Sequence, residues 1–163
     1  MGESAEKVEK KPARGLLVKG KVYLRDSDSA QALSERGYGE KIKDRLELSP
    51  CEALYLLADG WLEVYDKKLK REMSFEELLN VYAEVDRSVW SKYLVYRDLR
   101  ERGYVVKLGF GRGANFRVYD RGAYGKEAAR LLVHSILEGE PVPVKELVGA
   151  LNSARSLKKE VIL

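Results

Sequence analysis

Residues 93–122 read YLVYRDLRERGYVVKLGFGRGANFRVYDRG. The apolar period changes inside this stretch. Up to Leu99 the apolar residues Val89, Trp90, Tyr93, Leu94 and Leu99 recur at helical spacing, and Gly103 suits the left-handed residue that closes a helix. From Tyr104 onward, YVVKLGF and ANFRVYD carry strand-type residues separated by glycine-rich turns. A long helix running into short paired strands fixes the class as α+β.

Working back toward the N-terminus, MSFEELLNVYAEV opens a helix at Ser74, with Glu77 three residues on to complete a capping box. RLELSPCEALYLLADG passes from strand to helix, with Ser49 as cap, Pro50 at the first helical position and Glu52 closing a second capping box. WLEVYD reads as a strand, GLLVKGKVYLRD as two strands turning at Gly20, and DSDSAQALSERGYG as a capped helix that stops at Gly37. Residues 1–13 carry alternating charges without an apolar period and are expected to be a flexible tail.

Toward the C-terminus, RLLVHSIL is a strand, PVKELVGALNSARS a last helix and KKEVIL a final strand-like run. The expected organisation is a tail (1–13), a small N-terminal α/β domain with a mostly antiparallel sheet (14–82), and a C-terminal mixed-sheet domain flanked by helices (83–163). Leu54, Leu57, Leu94, Val105, Phe116 and Leu132 are the expected core.

Composition narrows the function classes. Hydrophobic residues make up 45% of the 163 and charged residues 34%, the balance of a soluble globular chain. No apolar run approaches the ~20 residues that span a bilayer, and MGESAEKVEKKPARG has no apolar signal core, so a cytoplasmic protein is expected. Cys51 is the only cysteine and His134 the only histidine, which leaves no disulfide and makes a transition-metal site or metal cofactor a poor expectation. A net charge of +4 is compatible with a nucleic-acid partner without requiring one. The abundance of Lys, Arg and Glu also suits a thermophile.

Single residues carry little chemistry on their own. GFGRGANF at 109–116 lacks the Gly-Lys-Ser/Thr ending and the following helix of a phosphate loop, and is better read as a hairpin connection. Tyr119, taken alone, is a sheet residue with a solvent-facing hydroxyl. Lys158 and Lys159 sit where positive charge favours a helix C-terminus. His134 is most simply a half-exposed strand residue.

Order and spacing supply a constellation. RGYGEKIKDRLELSPCEALYLLADGWLEV, MSFEELL, the opening stretch at 93–122 and SARSLKKEVIL together resemble the archaeal tRNA-splicing endonuclease family over nearly the whole chain. The most specific match is to the family's helix ending in Arg-Gly-Tyr, a strand, a Gly-Ala-Asp-Phe turn (Gly-Ala-Asn-Phe here) and Tyr-x-Arg-Gly. The resemblance implies removal of introns from precursor tRNA, without metal or cofactor, by attack of a ribose 2′-hydroxyl on its own phosphate. The products are a 2′,3′-cyclic phosphate and a 5′-hydroxyl. The family assigns base, acid and charge-stabilising roles to a tyrosine, a histidine and a lysine. By position these imply Tyr119 and Lys159, whereas the histidine position holds Ala128.

Further departures bear on the subtype. Cleaving members carry an arginine that stacks on an RNA base where this chain has Asn152. GYGEKIKD runs directly into RLELSP, without the lysine-containing loop that the resemblance implies for cutting subunits of two-subunit enzymes. The family also normally continues past a strand like EVIL into an acidic loop and a last strand that join subunits, so either the sequence is trimmed there or assembly uses other surfaces. The resemblance therefore implies a structural subunit of a heterotetramer, two plus two with a catalytic endonuclease subunit, acting on precursor tRNA with bulged intron–exon junctions. A catalytic subunit with a displaced acid such as His134, and a stand-alone RNA-binding module of the same fold, stay open.

Overall fold

The computed structural model describes residues 11–25, 27–109 and 115–163. Strands β1 (Ala13–Val18) and β2 (Lys21–Arg25) form a hairpin, followed by helix α1 (Asp28–Glu35), β3 (Glu40–Ile42), β4 (Arg45–Leu48), α2 (Pro50–Ala58), β5 (Leu62–Asp66), β6 (Arg71–Met73) and α3 (Phe75–Val85). The strands make a six-stranded sheet in the order β3-β4-β2-β1-β5-β6, antiparallel except for the parallel pair β1–β5. Alternation sends Val22, Leu24, Leu62 and Val64 to a buried face against Leu54 and Leu56 of α2, while Leu16, Tyr23 and Tyr65 look outward. Ala13, expected in the tail, starts β1 and is buried. Residues 1–10 lie outside the described residues.

Both expected capping boxes form. Ser49 accepts from the Glu52 N–H while Glu52 accepts from the Ser49 N–H, and Ser74 and Glu77 do the same for α3. Arg71 also makes a two-pronged contact with the Glu77 carboxylate, at 2.7 and 3.1 Å. That contact, with the Ser74 N–H behind it, lowers the Glu77 pKa to about 2.

The second half consists of α4 (Val89–Glu101), β7 (Val105–Leu108), β8 (Phe116–Tyr119), β9 (Leu131–Val133), α5 (Val144–Ser156) and β10 (Glu160–Ile162). The sheet order is β10-β9-β8-β7, with β9–β10 parallel and the other pairs antiparallel. Gly109 N–H donates to the Asn115 carbonyl and closes the β7–β8 pair on the side of the expected hairpin, whose residues 110–114 lie outside the described ones. All three residues of β9 are buried because the sheet is covered on both sides. Leu131 and Val133 join the main core with Tyr96 of α4, whereas Leu132 meets Ala154 of α5 and Val161 of β10.

Leu54, Phe116 and Leu132 are buried as expected, but Leu57, Leu94 and Val105 are only partly so. On α4 the deepest residues are Val89, Tyr93 and Tyr96, and Trp90 is 46% exposed, with its ring packed edge-on against Phe75. Val105 has the wrong parity for the main core: Val106 points into it, and Val105 and Lys107 point the other way.

That other side of β7 is where the halves join. The Lys107 ammonium, on a side chain only 4% exposed, donates to the Gly37 carbonyl (3.3 Å), the Gly39 carbonyl (2.9 Å) and the Glu52 carboxylate (2.8 Å). Three donors meet three acceptors. Gly37 has φ +85, and a Cβ there would stand 2.5 Å from Val105 Cγ1, so the loop lies against β7 only because this residue is glycine.

Two outcomes follow. Lys107→Met strands the buried Glu52 carboxylate and should cost about 3–5 kcal/mol in denaturant unfolding, while the double variant Lys107→Met/Glu52→Gln recovers a substantial part of that loss. Burial pushes the Cys51 thiol up to about 12. A maleimide reagent should therefore label it only at the rate of unfolding, and fast labelling of the native protein would contradict its burial.

Candidate active site

The three positions singled out by the resemblance come together at one end of the second sheet. Tyr119 is the last residue of β8, and the chain then turns through Arg121–Lys126, with Gly122 and Gly125 at φ +79 and +81. It returns along Ala128 and Ala129 to β9, where the Arg130 N–H donates to the Val118 carbonyl. Lys159 follows the C-terminus of α5 and leads into β10, which pairs with β9 from Glu160↔Leu131 onward. The ends of three adjacent strands thus supply Tyr119, Ala128–Ala129 and Lys159, with the outer backbones about 10 Å apart.

Each side chain already has a local partner. Tyr119 is 9% exposed rather than solvent-facing, and its hydroxyl accepts from Arg117 Nη1 at 3.2 Å. Its ring meets Tyr124 edge-on, with centroids 5.0 Å apart. Arg117 is held in turn by its Nε, which donates to the Leu108 carbonyl at 2.7 Å. The Lys159 ammonium donates to the Ala129 carbonyl. Arg130 pairs with Asp120 at 3.1 Å, clamping the two limbs of the turn. Ala128 is exposed, and its side chain is a methyl group with no proton to give.

His134 does not belong to this end. Six residues of extended chain separate it from Ala128, about 20 Å. It is 7% exposed rather than half-exposed, because its N–H bonds the Ile162 carbonyl and the chain is covered there. Its Nδ1 is buried without a hydrogen-bond partner among the described residues. Asn152 lies exposed on α5, and Lys158, also exposed, adopts φ +52 at the helix exit.

Three contributors escaped the sequence analysis: Arg117, Tyr124 and Lys107. Arg117 was accessible in principle, since a residue two before Tyr119 on a strand shares its face. Lys107 pairs in register with Arg117 and its ammonium lies 5.8 Å from the Tyr124 ring centroid, so the seam between the halves borders the site. Among the described residues, no group of three or more His, Cys, Asp or Glu is placed to hold a metal ion, and no helix is long and apolar enough to cross a membrane.

Comparison with known proteins places the chain in a family. Residues 13–79 match the family model for the tRNA intron endonuclease N-terminal domain, and residues 89–163 that for the tRNA intron endonuclease catalytic C-terminal domain. A tRNA-splicing endonuclease of Methanococcus maripaludis is 37% identical over 94% of this chain and 86% of its own length. Those of Pyrococcus horikoshii (34% over 94% of this chain and 88% of the relative) and Methanothermobacter thermautotrophicus (41% over 77% and 72%) are similar along both halves. With both halves matched and relatives aligned over most of their own length at this identity, the chain belongs to the tRNA intron endonuclease family.

Proposed function

We propose that this chain is a structural, non-cleaving subunit of a tRNA-splicing endonuclease, assembling two plus two with a catalytic partner on precursor tRNA. One observation carries the proposal. Between the strand ends that present Tyr119 and Lys159, the side chain at the position of the family's acid is the exposed methyl of Ala128. Cleavage by 2′-hydroxyl attack needs a base for that hydroxyl, a donor for the leaving 5′ oxygen and a cation for the charged phosphate. Tyr119 and Lys159 provide for two of these roles, and the donor is missing.

The arrangement also favours a scaffold in its details. Tyr119 and Lys159 are engaged by Arg117 and the Ala129 carbonyl, contacts that stabilise a strand end as they stand. Asn152 offers no guanidinium for stacking on a base. The β3–β4 connection is a tight turn at Lys43, φ +57, where the resemblance implies a lysine-containing loop in cutting subunits. A cleaving subunit with His134 as a displaced acid is disfavoured by that side chain's burial and its place toward the other end of β9.

The test is intron excision from a precursor tRNA in chelator-containing buffer, by this chain alone and with a histidine-bearing partner subunit. The chain alone should leave the RNA intact, and the mixture should cut both junctions. Efficient cutting by the isolated chain would overturn the proposal. In the active mixture, His134→Ala in this chain should leave the rate within about twofold, whereas loss of a general acid costs on the order of a hundredfold or more.

A further inference from the structure

The outward face of the six-stranded sheet carries a pattern that the fold does not use. Register places Leu16 opposite both Tyr23 and Tyr65, so two aromatic rings flank a leucine across three neighbouring strands, with strand axes about 10 Å apart. Tyr65 is 39% exposed. The Arg45 guanidinium stands 4.9 Å from the Tyr23 ring centroid, a cation–π arrangement. Beside these residues runs an open groove of about 560 Å³, lined by Leu16, Tyr23, Arg25, Arg45 and Lys67 among others.

The charges lining this groove are unbalanced, with Arg25, Arg45 and Lys67 against Asp44. Arg25 and Arg45 are directly opposite each other in the β2–β4 ladder and share one face. Like charges in such a pair repel, which is destabilising without an anion between them. Of the carboxylates on this face, Glu47, opposite Tyr23, pairs with Lys21 at 2.9 Å and Glu63 pairs with Arg14 at 3.9 Å, while Glu72, opposite Tyr65, does not line the groove. Asp44 lines the groove, yet no carboxylate of the described residues lies within ion-pair distance (4.0 Å) of Arg25, Arg45 or Lys67.

We infer that this face binds a single-stranded segment of RNA, with phosphates on Arg25, Arg45 and Lys67 and bases stacked on Tyr23 and Tyr65. Aromatic rings set among cations on an open sheet face are the means by which many folds hold unpaired RNA, since every base has a face to stack and every nucleotide a phosphate. An acidic protein segment would satisfy the cations but would leave the exposed tyrosines without purpose. The inference rests on the proposed function only in choosing RNA as the polyanion. The surface itself belongs to the N-terminal half and is separate from the Tyr119 strand end.

The test is fluorescence anisotropy of a labelled, mixed-sequence, single-stranded RNA oligonucleotide titrated with the full chain over a range of salt. Arg25→Gln/Arg45→Gln/Lys67→Gln should weaken binding by about tenfold or more at ~0.1 M salt and reduce the slope of log affinity against log salt by about two. Neutralising Arg87, Arg97 and Lys145 instead should change affinity less than about twofold. Tyr23→Ala/Tyr65→Ala should weaken binding with the salt slope unchanged, which separates stacking from charge. Thermal melts of each variant confirm that the sheet still folds. Wild-type RNA affinity and slope in the triple variant would overturn the inference, as would loss of a protein partner from the assembly with RNA binding intact. Because binding is read on the chain alone, its outcome is independent of whether the assembly cleaves.

Discussion

The Lys107 ammonium, enclosed by two glycine carbonyls and the Glu52 carboxylate, is the contact on which the relation between the two halves depends. A charge this deeply buried is tolerated only with full hydrogen bonding, so Gly37, Gly39 and Glu52 must all be in place together. Glu52 acts twice, with one oxygen on Lys107 and the other on the Ser49 N–H at the start of α2. The helix cap and the seam therefore form or fail as one unit. From Lys107 the constraint passes by strand register to Arg117, and from its guanidinium to the Tyr119 hydroxyl. The candidate site is set on a strand that the N-terminal half holds still.

On the proposed reading, the site keeps the geometry of a reaction centre without its full chemistry. Three strand ends converge, and a tight turn clamped by Arg130 and Asp120 brings the segment around Ala128 beside Tyr119 and Lys159. On that reading, what distinguishes a cutting chain from a scaffold is one imidazole, and Ala128 stands at the place the resemblance assigns to it. A single substitution can remove an activity while leaving every backbone hydrogen bond of the sheet intact.

Much of this was legible in the sequence where the determinants are local. Ser49 with Glu52, Ser74 with Glu77, and the turn at Gly20 are each set by residues a few positions apart, and each forms. The short edge strands β3 and β6 were not legible, because three mostly charged residues carry no period, and edges are kept short and polar. The role of Lys107 was not legible within the strand YVVKLGF, since its partners lie 55 to 70 residues away. His134 read as half-exposed because nothing nearby shows that the Ile162 strand will cover it. Long-range pairing decided the last two of these cases.

The most direct measurement is single-turnover cleavage of an intron-bearing precursor tRNA by the isolated chain carrying Ala128→His, beside the unaltered chain. If only the acid is missing from an otherwise assembled site, the variant should gain on the order of a hundredfold and leave a 2′,3′-cyclic phosphate end. A variant no faster than the unaltered chain, or an unaltered chain that already cuts at the variant's rate, would contradict the role assigned to Ala128.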